Sequence, residues 1–176
     1  MSKIPTQSKF TIYYNEGDAL GLLIESIYTF LDIKYDINVI MNNTTYIKHG
    51  DDPVDLNNMI TILKNKLDDN ENKIIEHCDI ITKCISDINS APKEEIENIV
   101  INMFNQIRII MTMFIDNQKK YILSDTITFA DSYAFATLYK MKCYFTMTDE
   151  ILLKYLENVM SDKRYTEITK RFKFEI

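Results

Sequence analysis

Apolar positions recur first with the period of strands and then, for most of the chain, with the period of helices. Phe10 to Asn15 (FTIYYN) is a short aromatic and β-branched run, the composition of a buried strand. From Asp18, a candidate cap, Leu20, Leu23, Ile24, Ile27, Phe30 and Leu31 follow at helical spacing. Lys34 to Met41 (KYDINVIM) alternates as a second strand, with Tyr35, Ile37 and Val39 on one side. The intervening helix is long enough to cross over, so the two strands are expected to be parallel. Thr44 to Lys48 (TTYIK) is a further β-prone piece, closed by a turn from Gly50 to Pro53.

Leu56, Met59, Ile60, Leu63 and Leu67 mark a helix from Asp55 to Lys66, and the charged, amide-rich run Asp68 to Lys73 (DDNENK) is the expected linker. Beyond it the pattern is helical over roughly 74–89, 91–118, 128–145, 148–160 and 164–173. Thr148, followed by Asp149 and Glu150, reads as an N-cap with acids at the favourable end of the dipole. Thr128 and Asp131 form a Thr-x-x-Asp capping box, which satisfies two orphan backbone N–H groups reciprocally. The helix it opens carries the small residues Ala130, Ala134 and Ala136. The stripe Ile96, Val100, Met103, Ile107, Ile110 and Phe114 reads as core packing rather than a ligand cleft. The expected fold class is α+β, with a βαβ-containing part over 1–70 and an all-helical part over 71–176.

Composition agrees with that layout. Hydrophobic residues make up 46%, enough to bury a core, and only three Gly and three Pro leave few hairpin turns. A net charge of −6 gives no overall reason to hold nucleic acid or an anionic membrane. The local basic cluster of Lys163, Arg164, Lys170, Arg171 and Lys173 reads as a solvated last helix rather than an RNA contact. Cys78, Cys84 and Cys143 sit in apolar helical patterns, as buried reduced thiols of a cytoplasmic protein do. MSKIPTQSKF has no apolar signal core, and no apolar run approaches the roughly 18 residues of a membrane span. His49 and His77 lack partners at metal-ligand spacing, and Gly17, Gly21 and Gly50 form no phosphate-cradling loop, so no metal or cofactor is expected. His77 and Cys78, about 100° apart on a helix, do not make a nucleophile and base.

The order of elements, with Ser124 to Phe145 (SDTITFADSYAFATLYKMKCYF) behind a long helical pattern, resembles the glutathione transferase fold, a thioredoxin-like half followed by an all-helical half. The first half is abbreviated. The resemblance implies a hydroxyl or thiol just after the first strand that stabilises the glutathione thiolate, and Tyr13 falls at that position. It also implies a cis-proline segment before the third strand that pairs with the tripeptide backbone, but there is no proline between Met41 and Asp52. A Gln/Glu-Ser pair opening the next helix would take the γ-glutamyl carboxylate, and here the pair is Asp55-Leu56. With two of three glutathione contacts changed, Tyr13 and Tyr14 are read as packing residues of the strand and the domain as non-catalytic. An active transferase using Tyr13 is the alternative.

A closer resemblance is to the glutathione-transferase-like domains appended to aminoacyl-tRNA synthetases and their scaffold proteins, above all the N-terminal domain of eukaryotic glutamyl-tRNA synthetases. It is carried by Asn15-Glu16-Gly17-Asp18, Asp55-Leu56-Asn57-Asn58, Tyr121-Ile122-Leu123 running into Ser124 through Asp131, and Ala136-Thr137-Leu138. Asp125 departs from the pattern, where Gly or Asn is usual. This resemblance implies docking into a multi-synthetase complex, with other domains of this fold as partners in a homodimer or on a scaffold protein, and tRNA met only indirectly. A domain of an elongation-factor subunit is a further alternative. Two interaction surfaces are expected: one around Met59, Ile62 and Lys66, where Met59 and Ile62 widen the apolar arc of their helix to about 160°, and one around Lys154, Glu157 and Asn158. Lys154 falls where the resemblance places a partner-facing arginine, although lysine lacks the bidentate fork.

Overall fold

The structure, a computed structural model, describes residues 10–15, 19–40, 45–142 and 145–171. Asp18, the Glu16-Gly17-Asp18 turn, Met41, Thr44, Cys143 and Lys173 lie outside the described residues. Strand β1 (Phe10–Asn15) leads to helix α1 (Ala19–Phe30) and strand β2 (Tyr35–Ile40), followed by β3 (Tyr46–His49) and the short β4 (Asp52–Pro53). The sheet order is β2-β1-β3-β4. As expected, β1 and β2 are parallel, with Ile12 beside Ile37, while β3 runs antiparallel to β1 and β4 antiparallel to β3.

Alternation sends Ile12, Tyr14 and Ile47 into the core beneath α1. The close approach of α1 depends on Gly21, where an added Cβ would lie 2.9 Å from the Cβ of Tyr14. Val39 does not share this burial and is 57% exposed, although the sequence places it with Tyr35 and Ile37. The reason is topological: β2 is the edge strand, and α1 packs along its neighbour β1.

Among the described residues six more helices follow: α2 (Leu56–Lys64), α3 (Asp69–Ile88), α4 (Lys93–Asn117), α5 (Phe129–Lys142), α6 (Glu150–Met160) and α7 (Thr166–Arg171). The expected linker is instead the first turn of α3. Asp68 is its N-cap, and Oδ1 accepts from the N–H groups of Asn70 at 2.8 Å and Glu71 at 2.9 Å. A cluster of acids that reads as a breaker in mid-helix is favourable at a helix N-terminus. Asp149 rather than Thr148 caps α6, accepting from Ile151 and Leu152. Leu152, Tyr155, Leu156 and Val159 lie in the core, and Ile151 is 37% exposed. Helix α4 is long and apolar enough to cross a membrane by length and composition, which corrects the expectation of no such run. Met103, Ile107, Ile110, Met111 and Phe114 nevertheless bury one of its faces in the core.

Helix α5 stands at the centre, with Phe129 to Leu138 buried without a break. Apolar and small residues all round are what a helix enclosed on every side requires. It packs on α1 and α3, and buried polar groups lock these contacts. The Tyr165 hydroxyl pairs with the Ser132 hydroxyl on α5 and reaches the Ser26 carbonyl on α1. Lys64 at the end of α2 donates to Asp79 Oδ2 on α3 at 2.7 Å, and the Tyr133 hydroxyl on α5 donates to Asp79 Oδ1 at 2.8 Å.

The capping box forms as the sequence predicts and carries more than its own helix. The Thr128 N–H donates to Asp131 Oδ2 at 2.9 Å, and the Asp131 N–H returns a bond to Thr128 Oγ1 at 3.3 Å. Asp131 Oδ1 accepts from the Ile122 N–H at 3.1 Å, and the Tyr155 hydroxyl on α6 donates to the Asp131 carbonyl at 3.2 Å. Asp131→Ala would strand the Thr128 and Ile122 N–H groups, so we expect a loss of about 2–4 kcal/mol in urea unfolding. Burial pushes the Asp131 carboxyl up, against the lowering effect of the Thr128 and Ile122 N–H groups. A raised carboxyl binds its proton more tightly folded than unfolded. Its contribution to stability is therefore fully present below the ordinary carboxylate range and is lost as pH rises through the raised value. The stability difference between wild type and the non-titrating Asp131→Asn should accordingly shrink with rising pH. A difference that grows with pH would show that the donors outweigh burial.

Candidate functional site

At one end of the sheet, the first turns of α1, the start of β3 and the opening of α2 leave a cleft of ≈ 310 Å³. Leu20 and Ile24 of α1 form one wall, Thr45, Tyr46 and Ile47 the floor, and Val54, Asp55, Leu56 and Asn57 the other wall. Each wall is fixed by local bonding. The Val54 N–H donates to the Ile47 carbonyl at 2.9 Å, which holds the approach to α2 against β3. Asp55 is the N-cap of α2, its Oδ1 accepting from the Asn58 N–H at 3.0 Å. Its carbonyl takes the Met59 N–H in the first regular i→i−4 bond of the helix, so the carboxylate satisfies one of the orphan donors.

Among the described lining residues Asp55 carries the one formal charge, and Thr45, Tyr46 and Asn57 supply neutral polar groups. Tyr13, the residue expected to act on a thiol, sits beside the cleft rather than in its lining. Its register partner is Tyr46, and the two rings stack at 4.7 Å with an 8° interplanar angle. Lys48 Nζ lies 5.9 Å from the Tyr13 ring centroid, a cation–π contact on the same face. Tyr46, 41% exposed, joins the Tyr13 face of the sheet to the cleft. Sequence reading singled out Tyr13 and Asp55-Leu56 but missed Tyr46 and Thr45; the signal available was the β-prone piece TTYIK, whose alternation puts Tyr46 and Lys48 on one side.

Other candidate chemistry is placed elsewhere. Cys78 is fully buried, with its thiol pushed up to about 12 by burial, and burial raises Cys84 as well. Neither is a thiolate at neutral pH. His77 bonds Gln106 across α3 and α4 at 2.7 Å, His49 stacks on Phe10, and no metal-binding group of three is found among the described residues. On the expected interaction surfaces, Met59 is half-buried, while Ile62, Lys66, Lys154 and Glu157 are exposed. Asn158 is half-buried and donates to the Lys120 carbonyl at 2.7 Å, tying α6 to the loop before α5.

No protein-family model and no curated protein matches the sequence. Solved structures do match the fold. A glutathione S-transferase from Caenorhabditis elegans superposes with a TM-score of 0.71 at 14% identity, covering 93% of this chain and 98% of its own. A glutathione S-transferase from Methylobacillus flagellatus with glutathione bound gives 0.69 at 8% identity, over 90% of this chain and 98% of that one. A dehydroascorbate reductase from Chlamydomonas reinhardtii gives 0.67 at 14% identity, over 96% and 97%. The chain therefore has the glutathione transferase fold over nearly its whole length. The expectation that the domain is not an enzyme is corrected by the same finding, because the solved structures named above, which share its fold, are transferases and a reductase.

The capping of α2 generates a local test. This helix has no fully buried residue, so its first turn depends heavily on Asp55. Asp55→Ala should cost about 1 kcal/mol, read as roughly fivefold faster amide exchange at Asn58 and Met59, with the global unfolding midpoint little changed. Unchanged exchange would mean that the carboxylate does not hold this turn.

Proposed function

We propose that the chain is an enzyme of the glutathione-transferase type, which holds a thiol-bearing γ-glutamyl peptide in the cleft at the opening of α2 and joins its sulfur to an electrophile. The cleft carries this reading. It is built from the start of β3 and the opening of the following helix, the segments that the family resemblance assigns to the tripeptide, and Tyr13 lies one stacked ring away. Glutathione bound to the Methylobacillus flagellatus transferase supports the same ligand class. In the proposed reaction the Tyr13 hydroxyl donates to the ligand sulfur and favours the thiolate, which is the nucleophile. The thiolate displaces a halide from an activated aromatic ring: a carbon–sulfur bond forms, the carbon–halogen bond breaks, and the thiol proton leaves to solvent. Leu56 in place of a serine, and a chain without proline between Met41 and Asp52, shift the work of holding the peptide to Thr45, Tyr46 and Asn57.

The test is conjugation of millimolar glutathione to a chlorodinitrobenzene, with Tyr13→Phe alongside. Turnover above the uncatalysed rate, reduced about tenfold or more in the variant, is expected. A folded protein that gives only the uncatalysed rate and shows no thermal shift with glutathione would overturn the reading.

Assembly is a second and compatible proposal, favoured by Ile62. This side chain is 48% exposed beside half-buried Met59, on a helix that the rest of the chain leaves largely uncovered. We infer that α2 pairs with a second domain of the same fold; the synthetase-type resemblance extends this to a scaffold partner of a glutamyl-type synthetase, on the sequence phrases alone. Sedimentation of wild type and Ile62→Arg, alone and mixed with such a domain, provides the check. The variant should shift toward monomer with its urea midpoint unchanged, whereas unfolding would place Ile62 in the core.

A further inference from the structure

The side of the sheet that faces away from α1 gathers two hydroxyls and an ammonium group. Helix α1 covers Ile12, Tyr14 and Ile47, and alternation puts Thr11 and Tyr13 of β1, Asp36 and Asn38 of β2, and Tyr46 and Lys48 of β3 on the opposite side. Tyr13 and Tyr46 are register partners whose near-parallel rings limit each other's tilt, and Lys48 brings its Nζ to 5.9 Å from the Tyr13 ring centroid. Among the described residues no carboxylate pairs with Lys48, and no hydrogen bond engages the Tyr13 or Tyr46 hydroxyl. The neighbouring charges stand off. Asp36 is separated from Lys48 by Thr11, a gap of two strand spacings or about 10 Å. Lys34, just before β2, and Asp51, in the turn after β3, are exposed. Asp52 on β4 is the register partner of His49, which stacks on Phe10 at the α1 side of the sheet. Asp55 caps α2, and Glu25 of α1 is buried on the α1 side.

A tyrosine hydroxyl gives a thiolate one neutral hydrogen bond, whereas a cation a few ångströms away favours the charged form directly. The cleft lining supplies no cation among the described residues, and its one formal charge, Asp55, acts in the opposite sense. A sulfur that accepts from the Tyr13 hydroxyl is within reach of the flexible four-carbon stem of Lys48. We propose, resting on the transferase reading above, that Lys48 supplies the positive charge that offsets the ligand thiolate, with the stacked Tyr46 ring holding Tyr13 in place. The atoms of the reaction are unchanged: the thiol proton leaves to solvent, and Lys48 keeps its own proton throughout. With the ammonium present, the bound thiol ionises at lower pH, so a larger share of the ligand is nucleophile near neutrality.

Conjugation of a chlorodinitrobenzene at saturating glutathione is followed against pH for wild type, Lys48→Gln and Lys48→Arg, since this profile reports ionisation of the bound thiol. A second readout, the thiolate ultraviolet absorbance of glutathione bound to the full chain, needs no turnover. Lys48→Gln should move the acid limb of both curves to higher pH by about half to one pH unit. Its rate deficit should be about three- to tenfold below the midpoint and should close at high pH. Lys48→Arg keeps the charge and should keep the limb near that of wild type. Lys48→Met, which keeps an unbranched stem, repeats the measurement if the glutamine lowers the urea midpoint. An acid limb unmoved in the uncharged variants, a deficit of the same size at every pH, or a limb displaced as far in Lys48→Arg as in Lys48→Gln overturns the role of Lys48 while the transferase reading stands. Should neither wild type nor any variant bind or conjugate glutathione, both fall.

Discussion

One buried carboxylate holds the entrance of the central helix, and most of the helical architecture is arranged around it. Asp131 binds back to Thr128 to start α5, reaches the Ile122 N–H in the loop before it, and anchors the Tyr155 hydroxyl of α6 through its own carbonyl. A single residue therefore ties together the start of α5, the path of the preceding loop and the helix that packs beside it. Burying a carboxylate is costly unless its oxygens are satisfied, and here each one accepts from backbone N–H donated by residues that the fold must bring together. That requirement makes the arrangement an all-or-none unit.

From α5 the contacts run outward to the half that bears the cleft. Tyr165 joins Ser132 of α5 to Ser26 of α1, and Tyr133 of α5 holds Asp79, which in turn holds Lys64 at the end of α2. The two walls of the cleft, α1 and α2, are thus both referenced to the same central helix. The floor is set independently by the sheet, in which β1 fixes Tyr13 opposite Tyr46 by strand register. Helix α2 is the least enclosed of these parts, because no residue of it is fully buried. Leu56, Met59, Ile60 and Leu63 pack on the core at partial burial, and the Asp55 cap and the Lys64 ion pair add polar contacts at the two ends of the helix.

Features that are local in origin are legible along the chain alone. Helical periodicity, the βαβ order with its parallel pair, and the Thr128–Asp131 box all arise within a few residues along the chain, where spacing and capping chemistry are legible without knowing what lies across the core. The order of those elements was also enough to place the fold among transferase-like architectures. Which faces are covered and which distant residues meet follows instead from packing across the core. Val39 alternates correctly and is still exposed, because β2 is an edge strand with α1 over its neighbour. Ile151 has helical spacing and lies outside, because the cap at Asp149 fixes which side of α6 meets α4 and α5. Asp68 to Lys73 is acidic in either reading, and it becomes a helix start rather than a linker through the bonds that Asp68 makes to Asn70 and Glu71. The cleft belongs to this second class: Leu20, Tyr46 and Asp55 are far apart in sequence, and the folding of strand register, crossover and helix cap onto one another brings them to the lining of one cleft.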